Sequence, residues 1–269
     1  MVGKLAFLVL AFFALTTVCQ STIFYPVSES HRSAALELFA SSDGPFVNLE
    51  STYEALRTFE VLGIEKSADI RFSVCTSVLD TLKSETVNLK DLFHALRANG
   101  LLKCEINYEV YGGIQSKFED SLNSASALLD FYYAIGGLVL LKDHSPELKV
   151  NIGDADKIVR SIKALSQSDG RWQLTSNKPE SSFDASGIAL QAIAGVVSLS
   201  TSEINHSLIA AVKTDILKLF DGIEKYDDGA YSFEEKLVDA SGHQGPLAAS
   251  ASVVRGITAF AAVSPETLN

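Results

Sequence analysis

The sequence predicts an all-α protein, an α/α helical-repeat superhelix or partial toroid with minor short hairpins. Three observations carry that prediction. Residues 44–63, GPFVNLESTYEALRTFEVLG, read as a turn, a capped helix and a stop, with Leu49, Tyr53, Leu56, Phe59 and Leu62 in one apolar stripe. A version of this unit returns 40 positions later: 88–96 (NLKDLFHAL) keeps the Asn-Leu, the aromatic and the Ala-Leu of 48–56 (NLESTYEAL). A looser copy, ALLDFYYAI, follows at 127–135. In the second half, amphipathic helices alternate with helices rich in small residues. Self-similarity at this period indicates stacked helical units rather than one closed sheet.

The chain opens with a targeting segment. Lys4 supplies the positive charge, 5–18 is an uncharged apolar run, and the small residues Thr17 and Cys19 place cleavage before Gln20. We therefore expect a signal peptide at 1–19 and a lumenal domain at 20–269; the alternative is an uncleaved anchor. No later stretch reads as a membrane span; 185–200 is charge-free, but Gly, Ser and Gln dilute it, as in a buried core helix.

A short first helix is expected at 30–40, through Ala34, Ala35, Leu38 and Phe39, and the reference unit at 44–63 ends on Gly63 as a left-handed stop. A returning helix covers 68–82. The second unit, 88–102, is expected to stop near Asn99-Gly100. The stretch 105–118 is ambiguous, because Gly112-Gly113 interrupts a helix there. A long apolar helix at 121–141 directs Leu128, Phe131, Tyr132, Ile135 and Leu138 one way. After a loop at 143–154, the helical pattern resumes at 155–165.

From here the punctuation changes. Asp169-Gly170-Arg171-Trp172 and Asp228-Gly229-Ala230-Tyr231 each read as a tight turn, with Gly at positive φ and the aromatic folded back on the core. Short hairpins are expected at 171–175 and 231–234. Each turn leads to a helix rich in small residues, 182–197 and 247–260, where Ala185, Gly187, Ala189, Ala248, Ala249 and Ala251 permit close packing. Between them 203–223 is amphipathic through Leu208, Val212, Ile216, Leu219 and Ile223.

Composition and motifs narrow the function. The formal net charge of −11 disfavours nucleic acid and anionic membrane surfaces as partners, while 47% apolar residues furnish a core. In an oxidising compartment Cys75 and Cys104 make an even pair that a disulfide would close. The alternative is two reduced cysteines, Cys75 lying in line with Phe72, Val78, Leu79 and Leu82. The five histidines (His31, His94, His144, His206, His243) lack metal-ligand spacing, and no nucleophile elbow or phosphate loop occurs. No catalytic residue, cofactor or metal is expected. Asp154 and Asp156 precede a helix and read as capping; Asp227-Asp228-Gly229 reads as a turn rather than a calcium loop. Asn205-His206-Ser207 is the one Asn-x-Ser/Thr sequon, making Asn205 a candidate glycosylation site or, alternatively, a helix N-cap.

The leader, the segment 44–63, the Cys75 helix and Leu102-Lys103-Cys104-Glu105-Ile106 together resemble the ribophorin II family. The likeness is most specific at 45–63 and continues more loosely to about Phe260, including Gly229-x-Tyr231-x-Phe233-Glu234-Glu235. The resemblance implies a non-catalytic structural subunit of the oligosaccharyltransferase, in the endoplasmic reticulum, with other transferase subunits as partners. It also fits pairing of Cys75 with Cys104. It further implies a longer protein, continuing into a β-rich domain and membrane helices, so that membrane association comes through the complex or those helices. Two other readings remain open at this level: a free-standing secreted helical-repeat protein binding a peptide or glycan, and an α/α-toroid enzyme. The acidic cluster of squalene-type cyclases and the zinc site of prenyltransferases are both missing from the sequence.

Overall fold

The structure is a computed structural model and describes residues 28–30, 33–34, 37, 48–177, 180–227, 229–233, 235 and 245–264. The expected leader and its expected cleavage site at Cys19 and Gln20, the expected Gly44-Pro45 break and most of the helix expected at 30–40 lie outside the described residues. The described residues are mostly helical, with two small antiparallel two-stranded sheets. The chain divides into two compact units, Met1–Val74 and Cys75–Asn269.

In the first unit, helix α1 (Leu49–Val61) lies within the stretch 44–63 expected to hold a capped helix. Asn48 is extended, and its Oδ1 accepts the Ser51 N–H at 2.9 Å, satisfying a donor that the helix leaves open. Leu49, Ala55, Leu56 and Phe59 are buried, and Gly63 follows at φ +65°. Helix α2 (Ala68–Lys83) begins in this unit and ends in the next. On it Val78 and Leu82 are buried, but Phe72, expected on the same face, is 78% exposed.

The second unit contains α3 (Leu89–Leu102), α4 (Tyr108–Ser124), α5 (Leu128–His144), α6 (Ala155–Lys163), α7 (Phe183–Leu199), α8 (His206–Leu219) and α9 (Gly245–Val263). Asn88 caps α3 as Asn48 caps α1, accepting the Asp91 N–H at 2.8 Å. In the third copy Ala127 holds the cap position, and Asp130 instead reaches back to accept the Ala127 N–H at 3.1 Å. The single helix expected at 121–141 is thus two helices, broken at 125–127.

Two further expectations are corrected. Helix α3 does not stop at Asn99-Gly100; it runs to Leu102, and Lys103 takes the left-handed conformation at φ +54°. Helix α4 passes straight through Gly112-Gly113. Two glycines disfavour helix by about 2 kcal/mol in total. Burial of Tyr111, Ile114, Phe118 and Leu122 on one face outweighs that, at roughly 1.5–3 kcal/mol per large apolar side chain.

Helix α5 packs against α3, α4 and α7. A Cβ on Gly136 would lie 2.7 Å from the Phe93 ring of α3, and one on Gly137 would strike the Phe118 ring of α4. Helices α7 and α9 form the most extensive pairing. A Cβ on Gly187 would meet the Ser252 backbone, and one on Gly256 would lie 2.6 Å from the Gly187 carbonyl. The tightest approach is at Gly187, Ser252 and Gly256; of the alanines expected on α9, Ala249 is buried and Ala251 exposed.

The small sheets attach at the helix ends. Strands β1 (Trp172–Gln173) and β2 (Ser181–Ser182) pair in the register Trp172↔Ser182; β3 (Ile223–Lys225) and β4 (Tyr231–Phe233) pair as Ile223↔Phe233 and Lys225↔Tyr231. The helix expected across 203–223 thus ends at Leu219, and Ile223 opens a strand. Helix α9 is long and apolar enough to cross a membrane by length and composition, with 28% of its span buried, although its sequence does not read as a membrane span.

Candidate functional site

The first cluster surrounds the cysteines. Cys75 Sγ and Cys104 Sγ are bonded, with Cα atoms 5.5 Å apart. The bond ties α2 to the segment after α3. Asn99, in the last turn of α3, organises that segment: its Oδ1 accepts the Cys104 N–H at 2.9 Å and its carbonyl accepts the Lys103 N–H at 2.7 Å. Its Nδ2 donates to Tyr111 Oη at 3.1 Å and lies 3.5 Å from His144 Nδ1. Burial lowers the His144 pKa below its ordinary 6.5, aided by the Lys103 charge and opposed by Asp143. Burial likewise raises the Tyr111 phenol, partly offset by the Asn99 bond. A neutral imidazole, a protonated phenol and an amide stabilise a helix end; they supply no activated nucleophile. Sequence reading took Asn99 for a stop signal and missed its role as a hub.

The second cluster lies at the first Asp-Gly turn. A cavity of about 340 Å³ is lined by Asp169, Arg171, Phe183, Lys218, Asp221, Gly222 and Glu224. Arg171 Nη2 pairs with Asp169 Oδ2 at 2.6 Å and its guanidinium sits 5.4 Å over the Phe183 ring. Burial works to raise the Asp169 pKa, but hydrogen bonds from the Arg171 N–H and guanidinium, with its charge, outweigh it and lower the carboxyl. Beneath the turn Lys163 Nζ reaches the buried Asp215 carboxylate at 2.7 Å and lies 6.0 Å from the centre of the Trp172 ring. Trp172 is fully buried, its indole donating to the Ile162 carbonyl at 3.1 Å. The Arg171–Asp169 and Lys163–Asp215 pairs brace the turn. The sequence reading missed the Lys163–Asp215 pair, because the two residues belong to different helices and share no local pattern.

Glu235 extends this region. Its Oε2 accepts the N–H groups of Phe183 at 2.9 Å and Asp184 at 3.3 Å, an added cap on α7 from 51 and 52 positions away. A further groove of about 330 Å³ runs along Leu82, Glu85, Val110, Gly113, Ile114 and Lys117.

The remaining candidates are dispersed. Asn205 is exposed and is the N-cap of α8, its Oδ1 accepting Ser207 N–H at 2.9 Å and Ser207 Oγ–H at 2.7 Å. A glycan attaches through Nδ2, so cap and acceptor use different atoms of one amide. Asp154 caps α6 by accepting the Lys157 N–H at 3.0 Å. His94 is buried against Phe93 and Tyr133, and His206 is exposed beside Glu203; His31 and His243 lie outside the described residues. Among the described residues no three His, Cys, Asp or Glu side chains come together as a metal-binding set.

Comparison with known proteins supplies the context for these clusters. Residues 27–269 match the family model described as the Ribophorin II N-terminal domain. The rice (Oryza sativa subsp. japonica) protein named dolichyl-diphosphooligosaccharide--protein glycosyltransferase subunit 2 is 49% identical over 246 residues, covering 91% of this chain. The aligned part is 35% of the rice protein, so the chain spans about a third of that relative's length. No solved structure matches.

Proposed function

This chain belongs to the ribophorin II N-terminal domain family, and on that premise we propose that it serves as a non-catalytic structural subunit of the oligosaccharyltransferase. In this role it supports N-linked glycosylation in the endoplasmic reticulum, with other transferase subunits as its partners. The observation that carries the reading is the 49% identity to the rice subunit over nearly the whole chain. The internally paired polar clusters at Asn99 and at Lys163–Asp215 fit a part that holds shape rather than one that performs chemistry.

The finer reading has three parts. Residues 1–19 are a signal peptide cleaved before Gln20, and 20–269 a lumenal domain; the Cys75–Cys104 bond is the chemistry of that oxidising lumen. The helices stack as an α/α superhelix or partial toroid, supported by the repeated caps at Asn48 and Asn88. Asn205 carries a glycan, supported by its exposure and a cap that leaves Nδ2 outside the hydrogen bonds to Ser207; loss of mass on endoglycosidase treatment checks this.

The central test is recovery of the assembly. The gene is tagged at its own locus and the product purified in mild detergent. Recovery of the catalytic transferase subunit with the tag supports the reading; a tagged protein secreted alone overturns it.

A further inference from the structure

The same backbone turn occurs twice, and among the described residues a helix covers only the first copy. At the first, Gln167 N–H donates to the Arg171 carbonyl at 2.7 Å, Gly170 N–H donates to the Gln167 carbonyl at 3.1 Å, and Gly170 sits at φ +84°. At the second, 59 positions on, Tyr226 N–H donates to the Ala230 carbonyl at 2.9 Å, Gly229 N–H donates to the Tyr226 carbonyl at 2.9 Å, and Gly229 also sits at φ +84°. Each turn is followed by an aromatic with a lysine over its ring, Lys163 on Trp172 at 6.0 Å and Lys225 on Tyr231 at 5.8 Å.

Their surroundings differ. Helix α8 lies across the first turn: a Cβ on Gly170 would be 2.6 Å from the Asp215 carbonyl and 2.8 Å from Lys218 Cβ, and Lys218 Nζ reaches the Ser168 carbonyl at 3.0 Å. At Gly229 no described residue lies within 4 Å of that position. Trp172 is 0% exposed, whereas its counterpart Tyr231 is 65% exposed and Tyr226 43%. The position equivalent to Ser168 is Asp227, which is exposed. Local sequence made both turns, and a described helix covers only the first.

We propose that the β3–β4 turn is a docking surface for an amphipathic helix of another transferase subunit, laid across Gly229 as α8 lies across Gly170. The partner helix buries Tyr231 and Tyr226 under its apolar stripe. It directs a lysine or arginine toward Asp227, where Lys218 meets Ser168 in the covered copy. A basic helix also complements a chain of net charge −11. The inference rests on the transferase-subunit reading.

The test places a photoreactive benzoylphenylalanine at Tyr231, and at exposed Glu105 as control, in the tagged full-length protein in cells. Adducts are mapped by mass spectrometry. The expected result is an adduct, specific to position 231, within a basic amphipathic helix of a different transferase subunit. The Tyr226→Asp/Tyr231→Asp double variant should weaken that subunit's retention about tenfold or more, as for lost aromatic anchors at an interface. The inference is overturned by an adduct confined to this chain or to a second copy of it. Silence at position 231 overturns it equally, provided the tag still recovers the transferase. If the unmodified tagged protein recovers no transferase, the subunit reading falls as well, so the two failures are distinct.

Discussion

Single atoms decide several features of this molecule. At the α7–α9 crossing, Gly256 has the Gly187 carbonyl where a methyl would go. On α4, by contrast, a Cβ on Gly113 would have no described residue within 4 Å. Gly256→Ala should therefore lower unfolding free energy by about 1–3 kcal/mol through overpacking. Gly113→Ala should raise it by about 0.5–1 kcal/mol, because alanine loses less backbone freedom in a helix. Urea unfolding of both variants measures the difference, with an unchanged slope showing that stability itself moved. His144 offers a second reading at this scale. Its folded pKa is lowered from 6.5, chiefly by burial, so near and below pH 6.5 the unfolded chain binds the extra proton first. Stability should fall as pH drops through 6.5 toward the folded value and level off below it. Comparing wild type with His144→Asn at pH 7.5 and pH 5.5 isolates the contribution, which the variant should lack.

Helices and turns show how far local pattern reaches. The capped first helix and its repeated Asn-Leu were legible, because a cap is written in a residue and its next three neighbours; the structure identifies the caps as Asn48 and Asn88. The Asp-Gly turns were legible for the same reason, since positive φ selects glycine on the spot. What failed was what partners decide. Gly112-Gly113 reads as an interruption until Ile114 and Phe118 are seen buried. Asn99 reads as a stop until its side chain is found holding Cys104 beyond the helix end. Trp172 and Tyr231 read alike, yet only the first lies under α8. The disulfide belongs to this scale too, closing a separation of 29 residues around α3. The chain-entropy model assigns such a loop about 3–4 kcal/mol, so Cys75→Ser/Cys104→Ser should lose that much in urea unfolding. In the native wild-type protein neither sulfur should alkylate before reduction.

Over the whole chain, charge and composition act together. With 33 acidic and 22 basic side chains, the surface repels polyanions. The protein should pass unretained through heparin or DNA columns at physiological salt; retention released by salt would contradict the charge argument. Net charge was readable at once, because it needs no fold. The candidate site was less so. Cys75, Cys104 and Asn205 stood out as residue types with known chemistry, whereas Asn99, Lys163 and Asp215 gain their roles from neighbours on other elements.

The glycine crossing of α7 and α9 also sets a clock. Gly187 meets Gly256 only after roughly seventy more residues have left the ribosome, which at about 5–20 residues per second takes on the order of 4–14 s. Until then the α7 surface destined for α9 has no native cover in the nascent chain. Slow decoding between the two helices lengthens that interval, and a chaperone engaging α7 bridges it. Yield of the folded protein therefore depends on translation speed between positions 187 and 256, a sensitivity that stability of the finished molecule does not reveal.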